Sequence, residues 1–144
     1  MPIGFEFGFR KKLHVVKTSP TDWEKTEGDL TSFIKEVNDI KEKYTIFQEE
    51  APTEILPNGN QNILLMWKAS TTTREEALLI LNKDIHHHQN FHAESLCDYM
   101  QSKAPCTDIS PEYSLDYVPE PFTYDLRPGQ GIVLINERDN HLEE

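Results

Sequence analysis

The amino-acid sequence predicts a mainly β protein: an antiparallel β-sandwich preceded by a strand–loop–helix segment. Three observations carry that expectation. Short apolar runs recur in the second half of the chain, separated by turn-forming and polar stretches. Pro105, Pro111, Pro119 and Pro121 keep a long segment extended and irregular, because proline lacks the N–H a helix needs. The clearest 3.6-residue apolar stripe lies ahead of all of these runs. At 144 residues the chain has the size of one domain or slightly more.

Taken in order, Ile3, Phe5, Phe7 and Phe9 alternate with Gly4, Glu6 and Gly8, which predicts a strand with one aromatic face. Two glycines on the other face predict a close approach of another backbone. Arg10 to Gly28 is polar, contains Ser19-Pro20-Thr21-Asp22, and reads as a loop. Leu30, Phe33, Ile34, Val37, Ile40 and Tyr44 then recur at spacings of three and four and predict a helix. Asp29 is placed to cap its start. Ile63 to Ala69 and Ala77 to Asn82 are apolar runs of strand length. A short helix is expected around Ala93–Met100. Phe122, Tyr124 and Leu126 alternate as a half-buried strand. Arg127-Pro128-Gly129-Gln130 is a type II turn, since proline fixes φ at its second position and glycine accepts positive φ at its third. Gly131 to Ile135 is expected to return as the partner strand of a hairpin. The expected organisation is a first segment over residues 1–51, a sandwich over 52–137 and an acidic tail over 138–144.

Composition excludes several classes of function. Acidic side chains number 25 against 14 basic ones, giving a net charge of −11. Such a surface repels phosphate backbones and anionic lipid, so neither nucleic acid nor membrane is an expected partner. The longest apolar runs are far too short to span a bilayer. The basic cluster Arg10-Lys11-Lys12 follows the apolar start, the reverse of a secretory signal. With only Cys97 and Cys106, both expected as reduced thiols, the expected location is the cytoplasm.

Candidate chemistry is sparse. His86-His87-His88 and His92 form the one conspicuous cluster. On a helix His88 and His92 would share a face at the i, i+4 spacing of a metal pair, but nothing completes a known ligand signature. No metal and no other cofactor is expected. The paired acids Glu49-Glu50, Glu75-Glu76 and Glu143-Glu144 read as surface charges, because adjacent carboxylates point apart whereas a glycosidase needs two acids facing each other. Among the aromatic residues able to stack on a sugar ring if exposed (Trp23, Trp67, Tyr99, Tyr113, Tyr117 and Tyr124), Trp67 falls in an apolar run and reads as core. Trp23, in the polar loop, is the stacking candidate.

The order of these elements resembles the C-terminal end of an α-amylase-superfamily enzyme. Met1-Pro2-Ile3-Gly4-Phe5-Glu6-Phe7-Gly8 is similar to the last strand of that family's (β/α)₈ barrel. The stretch from Asp29 to Lys41, with its Asn38 near Ile40-Lys41, resembles the last barrel helix. Asn62 to Trp67 and Glu76 to Asp84 look like the first strands of the all-β C-terminal domain, and Tyr124 to Leu134 like its closing hairpin. The spacing is most similar to the maltosyltransferase branch that uses maltose 1-phosphate. The resemblance implies that the first segment is a remnant of the barrel. It also implies that the catalytic Asp, Glu and Asp lie upstream of Met1, so that this chain alone has no catalytic residue and no activity. Only Glu6 would sit near the parent's sugar site. The function implied is that of a non-catalytic domain that stabilises the barrel and contacts α-glucan. Its partners would be the rest of that barrel and a second copy of the chain, paired through the N-terminal strand. The other function classes kept open are a free-standing acidic interaction module and a His-cluster metal binder.

Overall fold

The computed structural model of the chain describes residues 30–138. The expected N-terminal strand with Glu6, the loop with Trp23, the Asp29 cap and most of the acidic tail lie outside the described residues. The chain divides into two compact units, Met1–Ile40 and Lys41–Glu144.

The expected helix is present as α1 (Thr31–Lys43), which crosses from the first unit into the second. Lys41 and Lys43 lie in its last turn, where cations offset the negative end of the helix dipole. Lys35 and Asp39 pair at 2.7 Å one turn apart. No residue of α1 is fully buried, and Leu30, Phe33 and Val37 are each more than one-third exposed.

The second unit is a two-layered antiparallel sandwich, the fold class expected. Its strands are β1 (Thr53–Leu56), β2 (Ile63–Ala69), β3 (Glu75–Asn82), β4 (Gln89–Ala93), β5 (Thr107–Asp108), β6 (Phe122–Leu126) and β7 (Gly131–Glu137). One sheet has five strands in the order β1-β2-β3-β7-β5, and the other pairs β4 with β6. All neighbours run antiparallel. The layers meet in one core. Ile63, Leu65, Leu78, Ile80, Ile132 and Leu134 from the large sheet pack against Phe91, Ala93, Phe122 and Leu126 from the small one. Full burial of each such aliphatic side chain contributes about 1.5–3 kcal/mol.

Three local expectations are corrected. First, β6 and β7 do not form a hairpin: β6 pairs with β4, whereas β7 lies between β3 and β5. The turn itself forms as expected, with Gly129 at φ +70 and the Gln130 N–H donating to the Arg127 carbonyl at 3.0 Å. It carries the chain from one sheet across to the other. Second, the histidine stretch contains a strand, β4, with His92 in it and His88 directly before it, so the helix that would have set those two on one face is not there. Third, the helix expected near Ala93–Met100 is a single 3₁₀ turn at Leu96–Asp98. The Ser95 hydroxyl accepts the Cys97 N–H at its start, and the Gln101 and Ser102 N–H groups go to the Glu76 carboxylate rather than to helical carbonyls.

Candidate functional site

The two faces of the five-stranded sheet follow from strand periodicity. With Leu65, Leu78 and Leu134 turned to the core, the alternate residues Leu64, Met66 and Lys68 on β2, Ala77, Leu79 and Leu81 on β3, and Val133 and Ile135 on β7 form the outer face. The register aligns Ile55, Met66, Leu79 and Val133 in one row across four strands, beside Leu64 and Leu81. One end of this face is sealed. The 3₁₀ turn Thr45–Phe47 places Ile46, itself 0 % exposed, against Ala77 and Ile135, with Tyr44, Phe47 and Ile109 around them. The rest stays open: Ile55 is 67 % and Leu81 37 % exposed, and Leu64, Met66 and Val133 are half-buried. This is a sheet face built of aliphatic side chains that the second unit only partly covers.

Of the acids read as surface charges, Glu50 is exposed and Glu143-Glu144 lie outside the described residues, whereas Glu49, Glu75 and Glu76 are part of the scaffold. Glu76 is fully buried on the inner face. Its carboxylate accepts the Trp67 indole N–H at 2.9 Å, the Gln101 N–H at 2.9 Å and the Ser102 N–H at 2.7 Å, which fixes the loop after β4 to the sheet. Glu75 accepts the Ile46 N–H at 2.9 Å and so holds the sealing turn on the outer face. Glu49 grips the β2–β3 loop through the Ser70 hydroxyl, the Thr71 N–H at 2.9 Å and the Thr72 hydroxyl at 2.8 Å. The Ser70 hydroxyl above all, with Thr72 and Thr71 behind it, holds Glu49 below the usual carboxylate range. The buried Asn82 ends β3 by donating to the His87 carbonyl at 2.9 Å and the Arg127 carbonyl at 3.0 Å. The signal for Glu76 was available in the sequence. It stands in phase with Leu78 and Ile80, so a strand there had to turn it inward.

The histidines are spread out rather than gathered. His92 sits in β4, with Nδ1 2.6 Å from the Thr123 hydroxyl and Nε2 3.0 Å from Glu94. His88 precedes the strand and meets Asp125 at 3.1 Å. The i, i+4 spacing that helical geometry would close to one turn spans about 13 Å along extended chain, so each imidazole has its own carboxylate. His87 meets Asp84 at 3.0 Å. The His86 backbone N–H first, and the His87 side chain after it, lower the Asp84 pKa. Among the described residues no three His, Cys, Asp or Glu side chains gather as a metal site. Cys97 and Cys106 are free thiols, and burial pushes Cys106 up to about 11. Trp67, Tyr99 and Tyr124 pack on the core, as the apolar run around Trp67 implies. Tyr113 lies under the Arg127 guanidinium, 3.6 Å away, and Tyr117 is 75 % exposed. Among the described residues no helix is long and apolar enough to cross a membrane.

No known protein family and no curated protein matches the sequence. Solved structures do. The crystal structure of a mutant trehalose-6-phosphate hydrolase of Bacillus licheniformis, in complex with PNG, matches at a TM-score of 0.52 and 18 % identity. The match covers 70 % of this chain and 17 % of that hydrolase, so the chain spans about one sixth of its length. At this identity the likeness establishes the fold.

Proposed function

We propose that this polypeptide is a non-catalytic C-terminal domain of an α-amylase-superfamily enzyme of α-glucan or maltooligosaccharide metabolism, and that the outer face of its five-stranded sheet packs on the catalytic barrel. The observation that carries the proposal is the open aliphatic row Ile55, Met66, Leu79 and Val133, on a sandwich whose fold is shared with part of a trehalose-6-phosphate hydrolase. A sheet this apolar on both faces belongs between two other layers. The 3₁₀ turn supplies only a corner of the second one.

In this proposal residues 1–51 are the barrel-end strand, loop and helix, 52–137 the sandwich and 138–144 an acidic tail. Glu6 and Trp23 belong to the segment nearest the sugar. The reacting Asp, Glu and Asp sit on the barrel, which places the chemistry outside these residues. The maltose-1-phosphate maltosyltransferase branch is the proposed parent and the cytoplasm the proposed location.

Reading the coding frame upstream of the Met1 codon tests the parentage. Continuation into the preceding βα units, with an Asp, Glu and Asp at strand ends, is the expected result, and an in-frame stop directly upstream overturns it. The purified chain is expected to turn over neither trehalose 6-phosphate nor maltose 1-phosphate nor starch. Turnover that survives repurification would show a site within these residues and end the proposal. In the longer polypeptide, Met66→Lys with Leu81→Lys is expected to detach the sandwich from the barrel, seen as independent melting of the two.

A further inference from the structure

The loop between β1 and β2 covers residues 57–62. Within it, Gly59 is the one glycine of the chain that follows an asparagine. The amide of Asn58 is held by two bonds: Oδ1 accepts the Asn60 N–H at 2.9 Å, and Nδ2 donates to the Ile63 carbonyl at 3.0 Å. The first of these is an Asx turn, in which the side chain folds forward to the N–H two residues on. Gly59 is exposed, and a β-carbon added to it would meet no atom within 4 Å. Among the described residues its N–H donates to no acceptor.

An asparagine amide carbon is an electrophile, and the backbone nitrogen of the next residue reaches it by closing a five-membered ring. A side chain on that next residue crowds the attack. Glycine has none, and here no neighbour takes its place. As the Gly59 nitrogen closes on Cγ, negative charge develops on Oδ1, where the Asn60 N–H already points. We propose that Asn58-Gly59 is a site of spontaneous deamidation, with water as the co-reactant. The Gly59 N–H gives its proton to hydroxide, its nitrogen bonds Cγ, and Nδ2 takes up a proton from water and leaves as ammonia. The product is a succinimide. Water then opens that ring at either of its carbonyls, which leaves aspartate or β-linked isoaspartate at position 58.

The fold gives the reaction a consequence. Both products replace a donor by a carboxylate, so the Ile63 carbonyl loses its bond from Nδ2 and faces an anion in its place. Ile63 is the first residue of β2 and is 3 % exposed. Isoaspartate also adds one carbon to the main chain between β1 and β2. The length of that connection sets their register, which runs from Thr53 opposite Lys68 to Leu56 opposite Leu65. β1 is an edge strand, paired on one side only, so it is the element that gives way. Its loosening displaces Ile55, the end of the open aliphatic row. The site is argued from the loop alone and is independent of the function proposed above.

Incubating the purified chain in warm neutral buffer, with aliquots read by intact mass and peptide mapping, tests the proposal. The expected result is a gain of one dalton placed at Asn58, ahead of every other asparagine, at a rate that rises in proportion to hydroxide. Gly59→Ala is expected to slow it about tenfold by crowding the attack. The same variant should not lower the melting temperature, because the new β-carbon meets nothing. The isoaspartate fraction, separated by anion exchange, is expected to melt about 5 °C below the fresh chain. Equal rates in the parent and in Gly59→Ala overturn the site, as does earlier reaction at another asparagine. A rate in urea that exceeds the native one by more than about a hundredfold also overturns it, since the folded loop would then shield Cγ rather than present it. An isoaspartate fraction that melts with the fresh chain overturns the link to β1.

Discussion

The inner and outer faces of the five-stranded sheet are made by the same strands, in the same register, from the same kinds of side chain. They end in different states. Ile80 on the inner face is 0 % exposed, while its neighbour Leu81 on the outer face is 37 % exposed. A sheet meant to face water on one side alternates apolar with polar residues. Here the β2 run Ile63-Leu64-Leu65-Met66-Trp67 and the β3 run Ala77-Leu78-Leu79-Ile80-Leu81 do not alternate at all. The difference between the faces is therefore one of what covers them and not of what they are made of.

Adjacent substitutions measure that difference most directly. Ile80→Ala leaves a hole in a sealed core and is expected to cost about 3 kcal/mol in urea unfolding, whereas Leu81→Ala on the open face costs less than about 1 kcal/mol. Equal costs would mean that the outer face is already sealed within this chain and has no need of a covering layer. In a complex with the proposed barrel the gap should close, because Leu81 would then lose a packed neighbour too.

The inner face contains its own exception, and it supports the second-largest effect. Glu76 is a charge among aliphatic side chains, tolerated because three N–H groups surround it. Glu76→Ala strips the Trp67 indole, Gln101 and Ser102 of their common acceptor. The expected loss is about 3 kcal/mol, with a change in Trp67 fluorescence and release of the loop after β4. Unchanged stability would show that water replaces the carboxylate, and that the loop is held by Asn136 and Glu120 alone, through Ala104 and Leu96.

How far such features could be read in advance depends on whether the information is local. The apolar runs at Ile63–Ala69 and Ala77–Asn82, the alternation at Phe122–Leu126 and the Pro128-Gly129 turn all became the elements expected, because strand propensity and turn geometry are properties of neighbouring residues. Which sheet a strand joins is not local: the turn at Arg127–Gln130 looks the same whether it closes a hairpin or crosses between layers. β4 was missed because Gln89-Asn90-Phe91-His92-Ala93 offers one large apolar residue to the core and polar groups elsewhere. Glu76 was missed because a paired acid reads as surface until strand phase is applied to it. Asn58-Gly59 is visible in the sequence as a dipeptide, but the bonds that turn its amide toward Asn60 and Ile63 exist only in the folded loop.

The smallest effect expected separates charge from shape at the edge of the sheet. Glu49 and Asp84 are carboxylates whose pKa values lie below the ordinary 4.5 and 3.8, because hydroxyl and N–H donors favour their ionised forms. A depressed folded-state pKa means that the unfolded chain binds more protons than the folded one in that range. Stability therefore rises with pH there: the contribution is complete above the unfolded values and is lost as pH falls through the folded ones. Melting temperatures followed from pH 7 to pH 3 are expected to drop below about pH 4.5. Glu49→Gln keeps the shape of the clamp on Ser70, Thr71 and Thr72 but removes its charge. The variant should melt below the parent at pH 7, and the gap should narrow as pH falls below 4.5 toward the lowered folded-state pKa of Glu49. A difference that persists undiminished at pH 3 would mean that the clamp works through packing geometry. The open face and the clamped loop would then be distinguished by fit rather than by electrostatics.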